Sequence, residues 1–195
     1  MTDTKKIELS PRDVVTSEVR LSFPALFTPK PRFRGSDSET YQAVLLLPPD
    51  TDMTPFDSAL KAAMIEKFGK PIKLPAAKNP VKDCAEKGIQ GYDEGWHYIN
   101  LHSRQQPPVV DRRGVPVTDE SMIYAGCWVR AYINAFAWDH PSGGKGVSFG
   151  LNAIQFVRDD DRLDGRATTT AVFEPLDDPE GSESPEGSDG DDLWG

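Results

Sequence analysis

The sequence predicts a mainly β domain with one inserted α-helix, long loops and an acidic tail. Three observations predict it. Polar and apolar residues alternate at 19–23, 96–101 and 127–138, the period-two pattern of strands. Apolar residues recur at helical spacing over 54–68. Pro24, Pro48, Pro49, Pro71, Pro75 and Pro80 interrupt the first half of the chain, where regular elements must stop or turn.

The stretch 127–138, CWVRAYINAFAW, organises the rest. Split by two, one face reads Cys127, Val129, Ala131, Ile133, Ala135 and Ala137, small and apolar as a packed interior requires. The other reads Trp128, Arg130, Tyr132, Asn134, Phe136 and Trp138. Rings in a row with a cation among them suit the flat faces of unpaired bases. Such stacking contributes about 1–3 kcal/mol per base whatever the sequence. Large rings also fill cores, but Arg130 and Asn134 in mid-face would be expensive to bury.

Taken in order, residues 1–12 are polar and expected to be flexible. Val19, Leu21 and Phe23 alternate with Glu18, Arg20 and Ser22 as a first strand over 14–27, which Pro24 ends or places at an edge. Residues 27–35 gather Lys30, Arg32 and Arg34 around Phe33, and their prolines keep the segment extended, as tracking a phosphate backbone requires. Residues 40–47, apolar nearly throughout, predict a central second strand. Thr54 as N-cap, Pro55 and Asp57 open the helix; Phe56, Leu60, Ala63, Met64 and Phe68 form its core stripe, and Gly69 stops it.

The stretch 61–87 carries seven lysines against three acids in an irregular excursion, suited to a polyanion or to the chain's own tail. Residues 96–101 predict a third strand, with Trp96 and Tyr98 opposite Ile99 and Leu101. Arg112, Arg113 and Gly114 form a turn among valines, and a short helical turn at 119–124 leads into the aromatic strand. A hairpin loop at 140–146 returns as a last strand over 147–157, and 168–173 reads as an edge segment. The sum is about five strands, with the helix after the second.

The net charge of −9 argues against a nucleic-acid partner until its distribution is read. Nine acidic residues and no Lys or Arg lie between 174 and 195; the remaining 22 acids balance the 22 bases. An acidic Gly/Ser/Pro-rich segment cannot bury enough apolar surface to fold. Three regions are therefore expected: a flexible 1–12, a folded 13–173 and a disordered tail 174–195. The tail ends on Asp191, Asp192, Leu193, Trp194 and Gly195, an acidic peptide with an apolar anchor suited to a basic-rimmed pocket on a partner. The same charges can imitate a phosphate chain and occupy the protein's own basic groove until DNA displaces them.

No apolar run reaches about 18 residues and no signal segment is present, so a cytoplasmic protein without a membrane partner is expected. Cys84 and Cys127 are expected to be free thiols. Gly143, Gly144, Lys145 and Gly146 lack phosphate-loop spacing and read as a hairpin turn. Asp159, Asp160, Asp161 and Asp164 read as a solvated turn, and His97, His102 and His140 have no metal-ligand spacing. Neither an enzyme, nor a metal, nor a cofactor is expected.

The blocks VRLSFPALFTPK (19–30), TYQAVLLLP (40–48), VVDRRG (109–114), GCWVRAYINAFAW (126–138) and GGKGVSFGLNAIQFVRDDDRLDGR (143–166) together resemble a family of phage single-stranded DNA-binding proteins, over roughly residues 14–170. The acidic tail with a terminal aromatic is similar to the plan of phage and bacterial single-strand-binding proteins. The resemblance implies an OB-fold, a five-stranded Greek-key barrel whose face and loops bind oligonucleotides. Arg130, Tyr132, Phe136, Trp138 and Lys30 fall on matching blocks; Arg32, Phe33 and Arg34 lie just beyond one and rest on local charge. The expectation is then that Lys30, Arg32, Arg34, Arg112, Arg113 and Arg130 attract phosphates while Phe33, Tyr132, Phe136 and Trp138 offer rings to bases. The tail would recruit replication or recombination proteins, and both monomers and homodimers can use such a barrel. The rival readings are a protein-interaction module and a metal-dependent nuclease using 159–164.

Overall fold

Alternate residues are buried along five long strands, and this alternation closes them into a barrel. The structure, a computed structural model, describes residues 8–165 except residue 33. The strands are β2 (Val19–Pro31), β3 (Glu39–Leu47), β5 (His97–Ser103), β7 (Trp128–His140) and β8 (Gly144–Arg158). They pair in the closed order β2-β3-β5-β8-β7-β2, antiparallel except for β5 with β8. This is the OB-fold expected from the sequence. The short strands β1 (Asp13–Val15), β4 (Val81–Asp83) and β6 (Val109–Val110) pair onto β7, β5 and β8.

Within the barrel, Val19, Leu21, Ala43, Leu45, Ile99, Leu101, Val129, Ala131, Ile133, Phe149 and Ile154 form one core. Helix α1 (Thr54–Phe68) packs Phe56, Ala59, Leu60 and Ala63 against it, with Phe56 edge-on to Phe149 at 6.0 Å between ring centroids. Gly69 ends the helix in the left-handed conformation, φ 76°, and donates its N–H to the Ile65 carbonyl. The helix starts differently from expectation. Thr54 is already helical, and its N–H is accepted by Asp52 Oδ1 at 2.9 Å, because a carboxylate two residues back reaches that orphan donor.

Two further differences have local causes. Pro24 does not end the first strand: β2 continues to Pro31 through a bulge, three steps from Ser22 to Ala25 against two from Val44 to Gln42. The extra residue shifts the alternation beyond Ser22 and leaves Phe23 exposed, while Ser22, still in register with Val44, is buried beneath Tyr92; both differ from the pattern read from sequence. The basic excursion is also more ordered than its prolines suggest. Strand β4 pairs with β5, and Cys84 and Tyr92 form a second, external core over Leu46 and Tyr98, with Trp96 and Leu163 packed alongside. Tyr92 closes it by donating its hydroxyl to Ser22 Oγ at 3.2 Å. The edge segment read at 168–173 lies outside the described residues.

Candidate nucleic-acid interface

Strand β7 carries the sorting of rings that its alternation promised. Cys127, just before it, and Val129, Ala131, Ile133 and Ala135 on it are fully buried, while the opposite face stays outside the barrel. That outer face is not uniform. At its start Trp128 is a structural ring: Arg158 stacks over it at 4.1 Å, Trp96 lies 6.2 Å away, and its indole N–H is donated to Asp160 Oδ2 at 2.6 Å. At its end Phe136 is 38% exposed and Trp138 half-buried, and both line an open groove of about 350 Å³.

The groove lies between the β7–β8 hairpin and the residue that follows β2, and its other walls come from β5, β4 and the loop before β4. Arg32, Lys78 and Lys82 bring three cations to it; Asn100 and His102 supply its polar floor, and among the described residues no acid lines it. Trp138 is fixed from two sides. Its indole N–H is donated to Ser148 Oγ at 3.1 Å, and Lys78 Nζ sits 5.6 Å from its ring. Lys78 also bonds the Gly143 and Lys145 carbonyls, tying the loop to the hairpin. Burial and the nearby Arg32 guanidinium hold the His102 imidazole below its ordinary pKa, and its Nδ1 is buried without a partner.

The sequence-predicted residues fall into separate groups. Arg32, Phe136 and Trp138 meet in the groove. Lys30, on β2, is exposed but lines a separate hollow with Leu26, Thr28 and Glu120. Arg34 is exposed in the β2–β3 turn. Arg112 and Arg113 are exposed at the turn after β6, whose carbonyls accept from Gln155 Nε2. Gln155 is in register with Arg130, which is exposed and donates to the Thr16 carbonyl, so these three cations flank one stretch of β8. Tyr132 is half-buried between β1 and β8, its phenol pushed up by burial and by Asp13. Phe33 and the tail residues Asp191, Asp192, Leu193 and Trp194 lie outside the described residues.

Asn100 and His102 were missed as groove residues. The signal was available in the alternation of the third strand, where they occupy the face opposite Ile99 and Leu101. Arg20, on the polar side of the first strand, is committed elsewhere: it donates to the Gly126 carbonyl at 3.0 Å and the Asp161 carbonyl at 2.7 Å. The acidic turn is similarly engaged, with Asp159 accepting from the Tyr124 hydroxyl and Asp160 from Trp128. Among the described residues, no group of three or more His, Cys, Asp or Glu is placed to hold a metal ion, and no helix is long and apolar enough to cross a membrane.

A closed five-stranded Greek-key barrel with a basic, ring-bearing groove beside its hairpins defines an OB-fold of the oligonucleotide-binding class. The chain belongs to the phage single-stranded DNA-binding family described as Enterobacter phage Enc34, ssDNA-binding protein, which matches residues 12–183. It is 31% identical over 159 residues to protein p50 of Acyrthosiphon pisum secondary endosymbiont phage 1, covering 76% of this chain and 85% of that one. The structure of the bacteriophage Enc34 single-stranded DNA-binding protein in complex with ssDNA superposes with a TM-score of 0.68 at 22% identity, covering 78% of this chain and 89% of the other. That of gp2.5, a single-stranded DNA-binding protein of bacteriophage T7, superposes at 0.54 and 15% identity, covering 85% and 98%. At these identities the structural likeness is one of fold.

Proposed function

We propose that the chain coats single-stranded DNA without reading its sequence, during phage replication or recombination, and that the groove of Arg32, Lys78, Lys82, Phe136 and Trp138 is the centre of its contact. The observation that carries this is the convergence of three cations and two rings in one groove on the barrel whose described lining includes no acid. Cations neutralise phosphates and release counterions, which supplies affinity independent of sequence. Rings stack on any base. Family membership and the solved complex of the Enc34 protein with ssDNA support the same reading.

The deciding experiment is a titration with oligo-dT at two salt concentrations, following tryptophan emission. Trp138 stands in the groove, so binding quenches it, and affinity falls steeply as salt rises. Binding that is insensitive to both salt and ring substitution would remove the groove from the mechanism.

The tail has a separate role in this proposal. Its nine acids compete for the same cations, and Asp191, Asp192, Leu193 and Trp194 offer an anchored acidic peptide to replication or recombination proteins. Removing 174–195 raises DNA affinity and abolishes partner binding; unchanged values of both would dismiss the tail model.

A further inference from the structure

Phe23 is the described non-glycine residue with a positive φ, 44°. An aromatic residue in that region is a backbone outlier that the surrounding fold must impose. The strain is not repaid by burial. Phe23 belongs to neither core, and at 59% it is the most exposed of the large apolar side chains described. The bulge in β2 takes it out of the barrel interior, where the alternation from Val19 and Leu21 would have placed it. A strained backbone that presents a large ring to water points to a ligand contact, because packing does not explain it.

Strand register shows where that ring stands relative to the groove. Ala25, Gln42, His102, Gly150 and Asn134 form one row, paired strand by strand from β2 through β3, β5 and β8 to β7. Phe23 precedes Ala25 and Phe136 follows Asn134. Because β2 and β7 run antiparallel, both rings are displaced from the row towards the same side. Between them the rows run through Gln42 and Val44 on β3, Asn100 and His102 on β5, and Ser148 and Gly150 on β8, small or polar apart from Val44, which packs against the external core. The row slants along one side of the barrel instead of circling it, since the tilt of barrel strands staggers their registers. Val19 on β2 pairs directly with Val129, well short of Phe136 along β7. Four strand spacings separate the two ends, about 19 Å along the sheet.

We propose that Phe23 is a second stacking platform for single-stranded DNA, at the far end of a track that starts at Phe136 and Trp138 and crosses β8, β5 and β3. This rests on the groove being the DNA site, and it adds the direction of the strand across the sheet and a residue that ends the track. The positive φ holds the ring out before DNA arrives, so its orientation is not lost to the unbound ensemble.

The test uses the full chain and oligo-dT of about 16 nucleotides, the upper end of OB-fold site sizes. Phe23→Ala and Phe23→Leu each weaken binding by about 5- to 150-fold, the range expected for one lost base–ring stack. Phe23→Trp keeps the affinity, and its added emission is quenched by the oligonucleotide. Wild-type affinity in both Phe23→Ala and Phe23→Leu, or an added emission in Phe23→Trp that DNA leaves unchanged, overturns the proposal while leaving the groove reading intact. If the wild-type chain itself does not bind, the groove reading fails first. Thermal unfolding of each variant separates lost contact from lost fold.

Discussion

Trp138 packs over Gly146 so closely that a β-carbon at position 146 would overlap Cζ2 of its ring. The two residues are directly paired across the β7–β8 ladder. Glycine is required there by the approach of the ring, since Gly146 is not in the left-handed conformation. Gly146→Ala must therefore expel the indole from its seat and break its bond to Ser148 Oγ. If Trp138 stacks on a base, this substitution costs about 1–3 kcal/mol of oligo-dT affinity. Quenching of the tryptophan emission falls in parallel. Unchanged binding with a displaced indole would show that Trp138 is part of the wall and not a platform.

Arg20 on β2 and Arg32 just beyond its end should behave differently. Arg32 is exposed in the groove, whereas Arg20 is tied to two backbone carbonyls between Gly126 and the acidic turn. Arg32→Ala, and likewise Lys82→Ala, should reduce the slope of log affinity against log salt by about 0.7, the value for one phosphate contact on a single strand. Arg20→Ala should leave that slope unchanged and lower stability, because hydrogen bonds from charged donors contribute about 1.5–3 kcal/mol and these are only partly shielded from water. Salt titrations paired with thermal melts distinguish the two.

The barrel was legible in the sequence because burial alternates along its long strands. The inner face of β7 could be read residue by residue, and the helix stop at Gly69 followed from its conformational freedom. Phe23 was not legible: its exposure depends on a one-residue bulge, which shifts the alternation without changing composition. The sorting of rings was not legible either. Trp128 and Trp138 occupy equivalent positions in the pattern, and only contacts from distant segments, Arg158 and Asp160 for one and Lys78 for the other, separate structural ring from groove ring. The groove itself joins the residue after β2, strands β4, β5, β7 and β8, and the loop before β4, a proximity set by topology.

Cys84 and Cys127 report on the two cores. Both thiols are fully buried, and burial pushes each up to about 11. The thiolate is the reactive form, so iodoacetamide at about pH 8 should modify neither in the native chain. As denaturant is raised, Cys84 should be labelled first, because the external core around Tyr92 and Tyr98 is far smaller than the barrel interior around Cys127. Mass spectrometry after timed labelling reads the order. Simultaneous labelling would mean that the two cores open as one unit.

His102 gives the groove a pH dependence of two opposite signs. Its folded pKa lies below the ordinary value of about 6.5, through burial first and Arg32 second. Between that lowered value and about 6.5 the unfolded chain binds more protons than the folded one. Stability therefore rises with pH through this window and is lost as pH falls through it. DNA acts in the other direction. If the groove takes the phosphate chain, neutralising Arg32, Lys78 and Lys82 removes the repulsion that disfavours the imidazolium, so His102 should take up a proton on binding and affinity should rise as pH falls. His102→Gln should flatten both dependences, since an amide does not titrate. Oligo-dT titrations and thermal melts at about pH 7.5 and about pH 5.5, on either side of the ordinary imidazole value, measure the two effects separately. A variant with the wild-type pH profile in both would assign the titration to another group.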